Sequence, residues 1–224
     1  MKFHTDVVTK LQYAVQSHKN PVRAAGAQKY MKDIAPYLGI DTPTRRAISR
    51  EVFALLPDPT SLDIGRASRA LWKLEEREYQ YFACDLIAYF IDFAEEDFLS
   101  EHVQFLITHK SWWDTVDSLG TAAVSPLTAR YSLKQLMDTW NKDENMWLNR
   151  AAIQHQRGRG NKTDVSLLLK YCHDHADDHR FFIAKSIGWA LRDLSKFDKR
   201  PVKQFLVQHP DLDKVAVREA IRYL

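Results

Sequence analysis

A short motif that recurs in the C-terminal half of the chain constrains the fold more than any other feature. The segments TVDSLG, LNRAAI, IAKSIG and AVREAI each place a charged residue between apolar and small residues. Their charged positions are Asp117, Arg150, Lys185 and Arg218, so the motif recurs every 33 to 35 residues. A period in the thirties with two helices per repeat predicts an α-solenoid of the HEAT, armadillo or TPR type, whose second helices line a concave face. Alternatively, the charged residues only cap or bridge neighbouring repeats.

The low content of helix-breaking residues favours an all-α fold. The 224 residues include only seven glycines and eight prolines, whereas Ala, Leu, Lys, Glu, Gln and Arg are abundant. We expect roughly a dozen helices of about 10 to 18 residues, joined by short turns, in a single HEAT-like repeat domain that spans residues 1–224. Because proline lacks a backbone N–H, we expect Ser125-Pro126 to interrupt the helix that follows Lys110.

Cysteine usage and hydropathy exclude several classes of protein. Cys84 and Cys172 lie far apart without CxxC spacing, which favours buried thiols over a disulfide or a zinc site. His173, His175 and His179 cluster without a metal-binding spacing and are typical of a solvated turn, so we expect no metal and no cofactor. No apolar run approaches the ~18 residues of a membrane helix. We therefore predict a cytoplasmic protein without a membrane partner and, because stacked repeats bury their own faces, a monomer.

The segment KSWWDTVDSL, residues 110–119, places two tryptophans and two aspartates close together. In a helix, Trp113 and Asp117 stand four residues apart and project from one side, whereas Trp112 and Asp114 point elsewhere. An indole suits the face of a base or sugar, and a carboxylate suits a developing cation or a proton leaving water. This pair is the first candidate for a functional site.

Two polar stripes follow on later helices. Arg150, Gln154 and Arg157 recur at i, i+4 and i+7, and Lys185, Trp189 and Arg192 repeat that spacing around an indole. The guanidinium fork matches phosphate oxygens, and the net charge of +3 is compatible with nucleic acid without requiring it. Two alternatives stay open: a structural salt bridge between Asp117 and Arg150, and a buried Trp189 beside cations that are merely solvated.

Six segments in this order resemble the DNA alkylation repair family of AlkD-type DNA glycosylases. They span Asn20 to Lys196 and read NPVRAAGAQKYMK, LGIDTPTRR, ALWKLEEREYQ, KSWWDTVDSL, MWLNRAAIQHQ and FFIAKSIGWALRDLSK. The resemblance implies a solenoid of HEAT-like repeats whose concave, basic face grips double-stranded DNA. It also implies cleavage of the N-glycosidic bond of alkylated purines, without flipping of the base into a pocket, in the bacterial cytoplasm.

The resemblance also implies the site residues. Trp113, Asp117 and Arg150 match the family's functional trio, and Trp189 matches a further aromatic wall, so the expected catalytic residues are Asp117, Trp113 and Trp189. Expected DNA-binding residues are Arg150, Arg192, Lys185, Tyr30 and Arg157. Asp41 stands where a lesion-facing glutamine is expected, which bears on the substrate range. The alternative function, from another class, is a non-catalytic HEAT-like scaffold that binds nucleic acid or a protein partner.

Overall fold

The computed structural model describes residues 2–224, which contain helices and no strand, and confirms the predicted all-α fold of HEAT-like helical repeats. The chain divides into two compact units, an N-terminal unit that ends at Lys110 and a C-terminal unit from Ser111 to Leu224. No helix in the described range is long and apolar enough to cross a bilayer. The prediction of one domain over residues 1–224 stays a prediction.

The N-terminal unit contains five longer helices, of which the first, third, fourth and fifth pack around one apolar core. The helices are α1 (Phe3–Ala14), α2 (Pro21–Tyr30), α3 (Thr42–Phe53), α4 (Ser61–Lys73) and α5 (Arg77–Tyr89), followed by a π-helical turn (Leu99–Val103) and the short α6 (Gln104–Thr108). Helix α1 packs on α3 and α4, and α5 packs on the same two helices. Leu11, Ile64 and Phe82 at these contacts have no exposed surface.

A buried carboxylate fixes the connection between α2 and α3. Glu78 of α5 is 2% exposed and accepts hydrogen bonds from the backbone N–H groups of Leu38, Gly39 and Ile40 at 2.9, 2.8 and 3.2 Å. Buried N–H groups need such partners, because water cannot reach them. The anchoring role of Glu78 has no signature in the local sequence.

The C-terminal unit stacks the second helix of each repeat on the next. Its helices are α7 (Trp113–Leu119), α8 (Ser125–Arg130), α9 (Lys134–Asn141), α10 (Met146–Gln154), α11 (Val165–Asp174), α12 (Phe181–Ser195), α13 (Lys199–Gln208) and α14 (Lys214–Ala220). Helix α10 contacts α7 and α12, and α12 contacts α14 most extensively. The four recurring motifs therefore lie on successive neighbouring helices, as the repeat spacing predicted.

The expectation that Ser125-Pro126 interrupts the helix after Lys110 is wrong. Helix α7 passes without a break through a π-helical turn at Gly120–Val124 into α8, and Ser125 itself is helical with φ −64° and ψ −47°. Pro126 has no N–H to donate, and the wider i→i+5 turn directly before it makes room for the proline ring within the continuous helix. Asp117 therefore lies on one continuous helical segment that runs from Trp113 to Arg130.

The predicted buried thiols are confirmed, since Cys84 and Cys172 are both buried. Helix lengths differ from the expectation, because the described α-helices range from 5 to 15 residues. Two of the shortest, α6 and α8, adjoin the π-helical turns, which divide longer helical runs.

Candidate active site

Asp117 and Arg150 form a bidentate ion pair across α7 and α10. The Nε of Arg150 donates to Oδ1 of Asp117 at 2.8 Å, and Nη2 donates to Oδ2 at 2.7 Å. The remaining Nη1 donates to the carbonyl of Phe182 on α12 at 2.5 Å. The Arg150 side chain is 1% exposed, whereas that of Asp117 is 14% exposed. A buried cation therefore holds a carboxylate that reaches the surface.

This geometry changes the position expected for Arg150. The resemblance implies a contact with phosphate, but the guanidinium lies beneath Asp117 and directs nitrogens on both sides of its fork to protein oxygens. Fork-to-fork pairing of this kind fixes the orientation of a carboxylate. The alternative of an inter-repeat salt bridge is thus present in the structure, and it leaves one face of Asp117 in contact with solvent.

A small hollow adjoins the Asp117 carboxylate. Its volume is about 20 Å³, and its lining includes Asp117, Thr121, Gln154 and Arg157. The Nε2 of Gln154 donates to Oδ1 of Asp117 at 3.3 Å. A space of this size suits a single water molecule and is far too small for a purine.

Trp189 stands at the centre of a collar of cations. It is half-buried on α12, and charged groups of Arg150, Arg157, Lys185 and Arg192 lie 5.2, 5.2, 5.9 and 5.7 Å from its ring centroid. Cations within about 6 Å of an indole are attracted to the electrons of its ring. The Trp189 indole is therefore partly accessible and lies among the cations. Because Arg150 contacts both the indole and Asp117, Trp189 also lies near the Asp117 carboxylate.

Glu219 was missed by the sequence reasoning. The motif alignment places Arg218 in register, but Arg218 is exposed and the neighbouring Glu219 is the residue that faces α12. Its carboxylate accepts hydrogen bonds from Lys185 at 2.7 Å and Arg192 at 2.6 Å. The hydrogen bond from Lys185 is the main reason that the pKa of Glu219 is lowered.

Trp113 and Trp112 occupy different environments, as their spacing indicated. Trp113 is half-buried as the first residue of α7, one turn before Asp117. Trp112 belongs to an aromatic cluster, with ring centroids 6.0 Å from Trp147 and 5.2 Å from Phe182. Because the backbone carbonyl of Phe182 also accepts the hydrogen bond from Arg150, this aromatic cluster adjoins the ion pair on the side of Arg150.

Arg157 and the following glycines form an anchored turn. Arg157 is exposed, and the backbone N–H of Gly158, which has φ +84°, donates to Asp193 on α12 at 2.8 Å. Arg159 donates to the hydroxyl of Thr128 at 2.5 Å. The turn thus holds Arg157 beside Trp189 through bonds to both neighbouring helices.

The remaining predicted positions belong to the N-terminal unit. Tyr30 is the last residue of α2 and is 73% exposed. Asp41 caps α3, accepting the N–H of Thr44 at 2.9 Å, and pairs with Arg23 at 2.9 Å. The hydrogen bond from Thr44 lowers the pKa of Asp41. Asp41 therefore has a structural role in its own unit.

No group of His, Cys, Asp or Glu side chains in residues 2–224 has the arrangement of a metal site. Of the histidine cluster, His173 instead pairs with His209, with 2.8 Å between Nδ1 and Nε2.

Comparisons with known proteins agree on one family. A family model described as DNA alkylation repair enzyme matches residues 11–224. A solved structure, described as a predicted DNA alkylation repair enzyme from Enterococcus faecalis, superimposes with a TM-score of 0.83 at 30% sequence identity. That match covers 92% of this chain and 97% of the other. The comparison with curated proteins yields no match.

Proposed function

Because this chain belongs to the DNA alkylation repair enzyme family, we propose that it is a DNA glycosylase acting on cationic alkylated purines in duplex DNA. The observation that supports this most directly is the Asp117 carboxylate, held at the surface by a buried guanidinium beside an indole that four cations surround. We further propose that the protein acts as a monomer in the cytoplasm.

The chemistry needs stabilisation of a sugar cation more than protonation of the base. An N3- or N7-alkylated purine is already cationic, so its bond to the sugar C1′ breaks with the electron pair leaving on the base. The sugar then acquires oxocarbenium character. A fixed carboxylate stabilises that charge, and it can accept the proton of the water whose oxygen attacks C1′. We assign this role to Asp117.

Arg150 acts in this proposal as a positioning residue. Its guanidinium is 1% exposed, so it orients Asp117 from below instead of touching the DNA backbone. A catalytic group must be held within about half an ångström of its productive position, which two parallel hydrogen bonds achieve. Phosphate binding falls to the accessible cations Arg157, Lys185 and Arg192.

Trp113 and Trp189 supply aromatic surface for the deoxyribose. Both indoles are half-buried, so each retains an accessible surface. The hollow beside Asp117 is large enough for a water molecule but not for a base. This supports hydrolysis of a nucleotide whose base does not enter a pocket, in contrast to base-flipping enzymes. Bulky adducts would then meet no pocket wall at this position.

The second candidate function is a non-catalytic scaffold that binds nucleic acid or a protein. The observation that favours a scaffold is the ion pair of Asp117 with the buried Arg150, because such a pair can have a purely structural role. The two proposals differ in one measurable respect, which is the release of a base.

The test is single-turnover release of 7-methylguanine and 3-methyladenine from methylated duplex DNA. We expect release by the wild type and a fall of about 10²- to 10³-fold for Asp117→Asn, the range typical of a lost electrostatic stabiliser. Asp138→Asn is the control, because Asp138 pairs instead with Lys134 and Tyr171. All variants are assayed well below their unfolding temperatures. Equal rates for wild type and Asp117→Asn would remove Asp117 from the mechanism, and no release by the wild type would favour the scaffold.

A further inference from the structure

The carboxylate of Glu219 is buried and binds two of the cations around Trp189, Lys185 and Arg192. Its side chain is 3% exposed, yet three cations approach it: Lys185 at 2.7 Å, Arg192 at 2.6 Å and Arg222 at 3.5 Å. Neither Lys185 nor Arg192 is buried to the same degree, since each side chain is 20% exposed. Glu219 is therefore shielded from solvent, whereas the two cations that it binds remain partly accessible.

Close approach of α12 and α14 puts Glu219 in this position. A Cβ atom at Gly188 would lie 2.7 Å from the Cβ of Glu219 and 2.7 Å from the carbonyl oxygen of Ala216, so only glycine allows this packing. Lys185 and Arg192 lie seven residues apart, two turns along the same face of α12. The carboxylate of α14 reaches between them and binds one with each oxygen.

Both cations keep free donors after this pairing. An ammonium has three N–H groups and a guanidinium has five, and the bonds to Glu219 use one of each. The same two groups lie 5.9 and 5.7 Å from the Trp189 ring centroid. Glu219 therefore fixes two long, flexible side chains beside the indole while leaving them able to bind an anion.

We propose that Glu219 is a positioning residue that preorders Lys185 and Arg192 as a clamp for DNA phosphates beside Trp189. Holding the cations in one arrangement sets the place of the sugar relative to the indole, so the role of Glu219 is in geometry and not in affinity. The clamp rests on the proposed glycosylase function, which it deepens by assigning the phosphate contacts.

Removing the negative charge separates this role from a simple electrostatic one. Lys185, Arg192 and Glu219 together carry a net charge of +1, and Glu219→Gln raises it to +2. Attraction to DNA at low salt should therefore stay the same or increase. Correct placement of the sugar should decline, because the cations lose their common anchor. The release rate should therefore fall without any loss of affinity for DNA.

The experiment compares Glu219→Gln with wild type on the full chain, first by melting temperature and then by three further measurements. They are the NMR order parameter of the Arg192 Nε–H, the affinity for undamaged duplex DNA at low salt, and the single-turnover release rate at saturating methylated DNA. We expect the order parameter to fall below about 0.6, the range of mobile groups. We also expect undiminished affinity and a release rate lower by about tenfold. Arg222→Ala is the matched control, because Arg222 also pairs with Glu219 but its side chain is 57% exposed. The release rate of this variant should stay within about twofold of the wild-type rate.

Two results would overturn the clamp. An unchanged order parameter and rate in Glu219→Gln would show that the cations need no anchor. A loss of rate together with weaker DNA binding and a lower melting temperature would assign Glu219 to packing alone. If the wild type releases no base, the glycosylase proposal fails, whereas the order parameter and the affinity still decide whether Glu219 positions the cations.

Discussion

Replacing Asp117 by asparagine should lower the free energy of unfolding of the C-terminal unit as well as activity. Arg150, at 1% exposure, would lose the charge that its guanidinium faces and retain the carbonyl of Phe182 as a full partner. Breaking a buried ion pair from one side costs about 3–5 kcal/mol. Asparagine can still accept one hydrogen bond, and Asp117 is itself 14% exposed. We therefore expect a loss at the lower end, about 3 kcal/mol.

The reverse replacement should cost less. Arg150→Met leaves the Asp117 carboxylate with the amide of Gln154 and with access to water, so about 2 kcal/mol is expected. The combined variant removes both charges and should lose less than the sum of the two. The interaction energy from this cycle should be about 2 kcal/mol, typical of residues in direct contact.

Urea denaturation followed by tryptophan fluorescence is suited to the measurement. Of the six tryptophans only Trp72 precedes Ser111, so the signal reports mainly on the C-terminal unit. Lys134→Met is the control, because the Lys134 side chain is 61% exposed in its pair with Asp138 and should change stability by less than about 1 kcal/mol. Costs for the Asp117 and Arg150 variants that simply add, or that both fall below about 0.5 kcal/mol, would contradict the reasoning.

Two further predictions concern the scaffold. His155 donates its Nδ1–H to Ala152, and burial lowers its pKa to about 4. The unfolded chain binds the proton first, so the contribution of His155 to stability is fully present well above pH 6.5 and falls by up to ~3 kcal/mol as the pH drops towards 4. Urea denaturation at pH 7.5 and 4.5 should show this loss, and His155→Gln should reduce it; an equal loss in that variant would point to other groups. Gly39→Ala should lower the melting temperature markedly, because φ is +81° and a Cβ would lie 2.1 Å from the carbonyl oxygen of Asn20. Gly26→Ala, with open space around the Cβ position, is its control, and equal melting temperatures would refute the argument.

The repeat spacing was sufficient to predict the fold class and one central contact. Residues 33 positions apart in the motif, Asp117 and Arg150, meet across α7 and α10. A helical period and a repeat length fix which faces of successive helices adjoin. They do not fix which of two neighbouring residues points across the gap. At the fourth motif the register is displaced from Arg218 to Glu219, because Gly188 lets α14 approach α12 closely.

Other features depend on contacts that lie far apart in the sequence. Glu78 binds a backbone loop some 40 residues earlier, and no local pattern identifies that loop. The π-helical turn before Pro126 was likewise not predicted, because local rules for proline predict a break. Glu219 had a detectable signal, since it is an isolated acid in the basic segment that contains Arg218 and Arg222.

The difference in burial between Asp117 and Arg150 reconciles the structural and functional explanations of their pair. Salt screens charges at the surface within about 10 Å at 0.1 M, but it acts weakly on a buried guanidinium. DNA must be gripped by exposed cations, whose attraction weakens steeply as salt rises. A catalytic acid oriented by such cations would lose its orientation under the same conditions. Because Arg150 is buried, the carboxylate keeps its orientation when the surface charges are screened, and in the proposed glycosylase DNA binding and catalysis would depend on separate sets of cations.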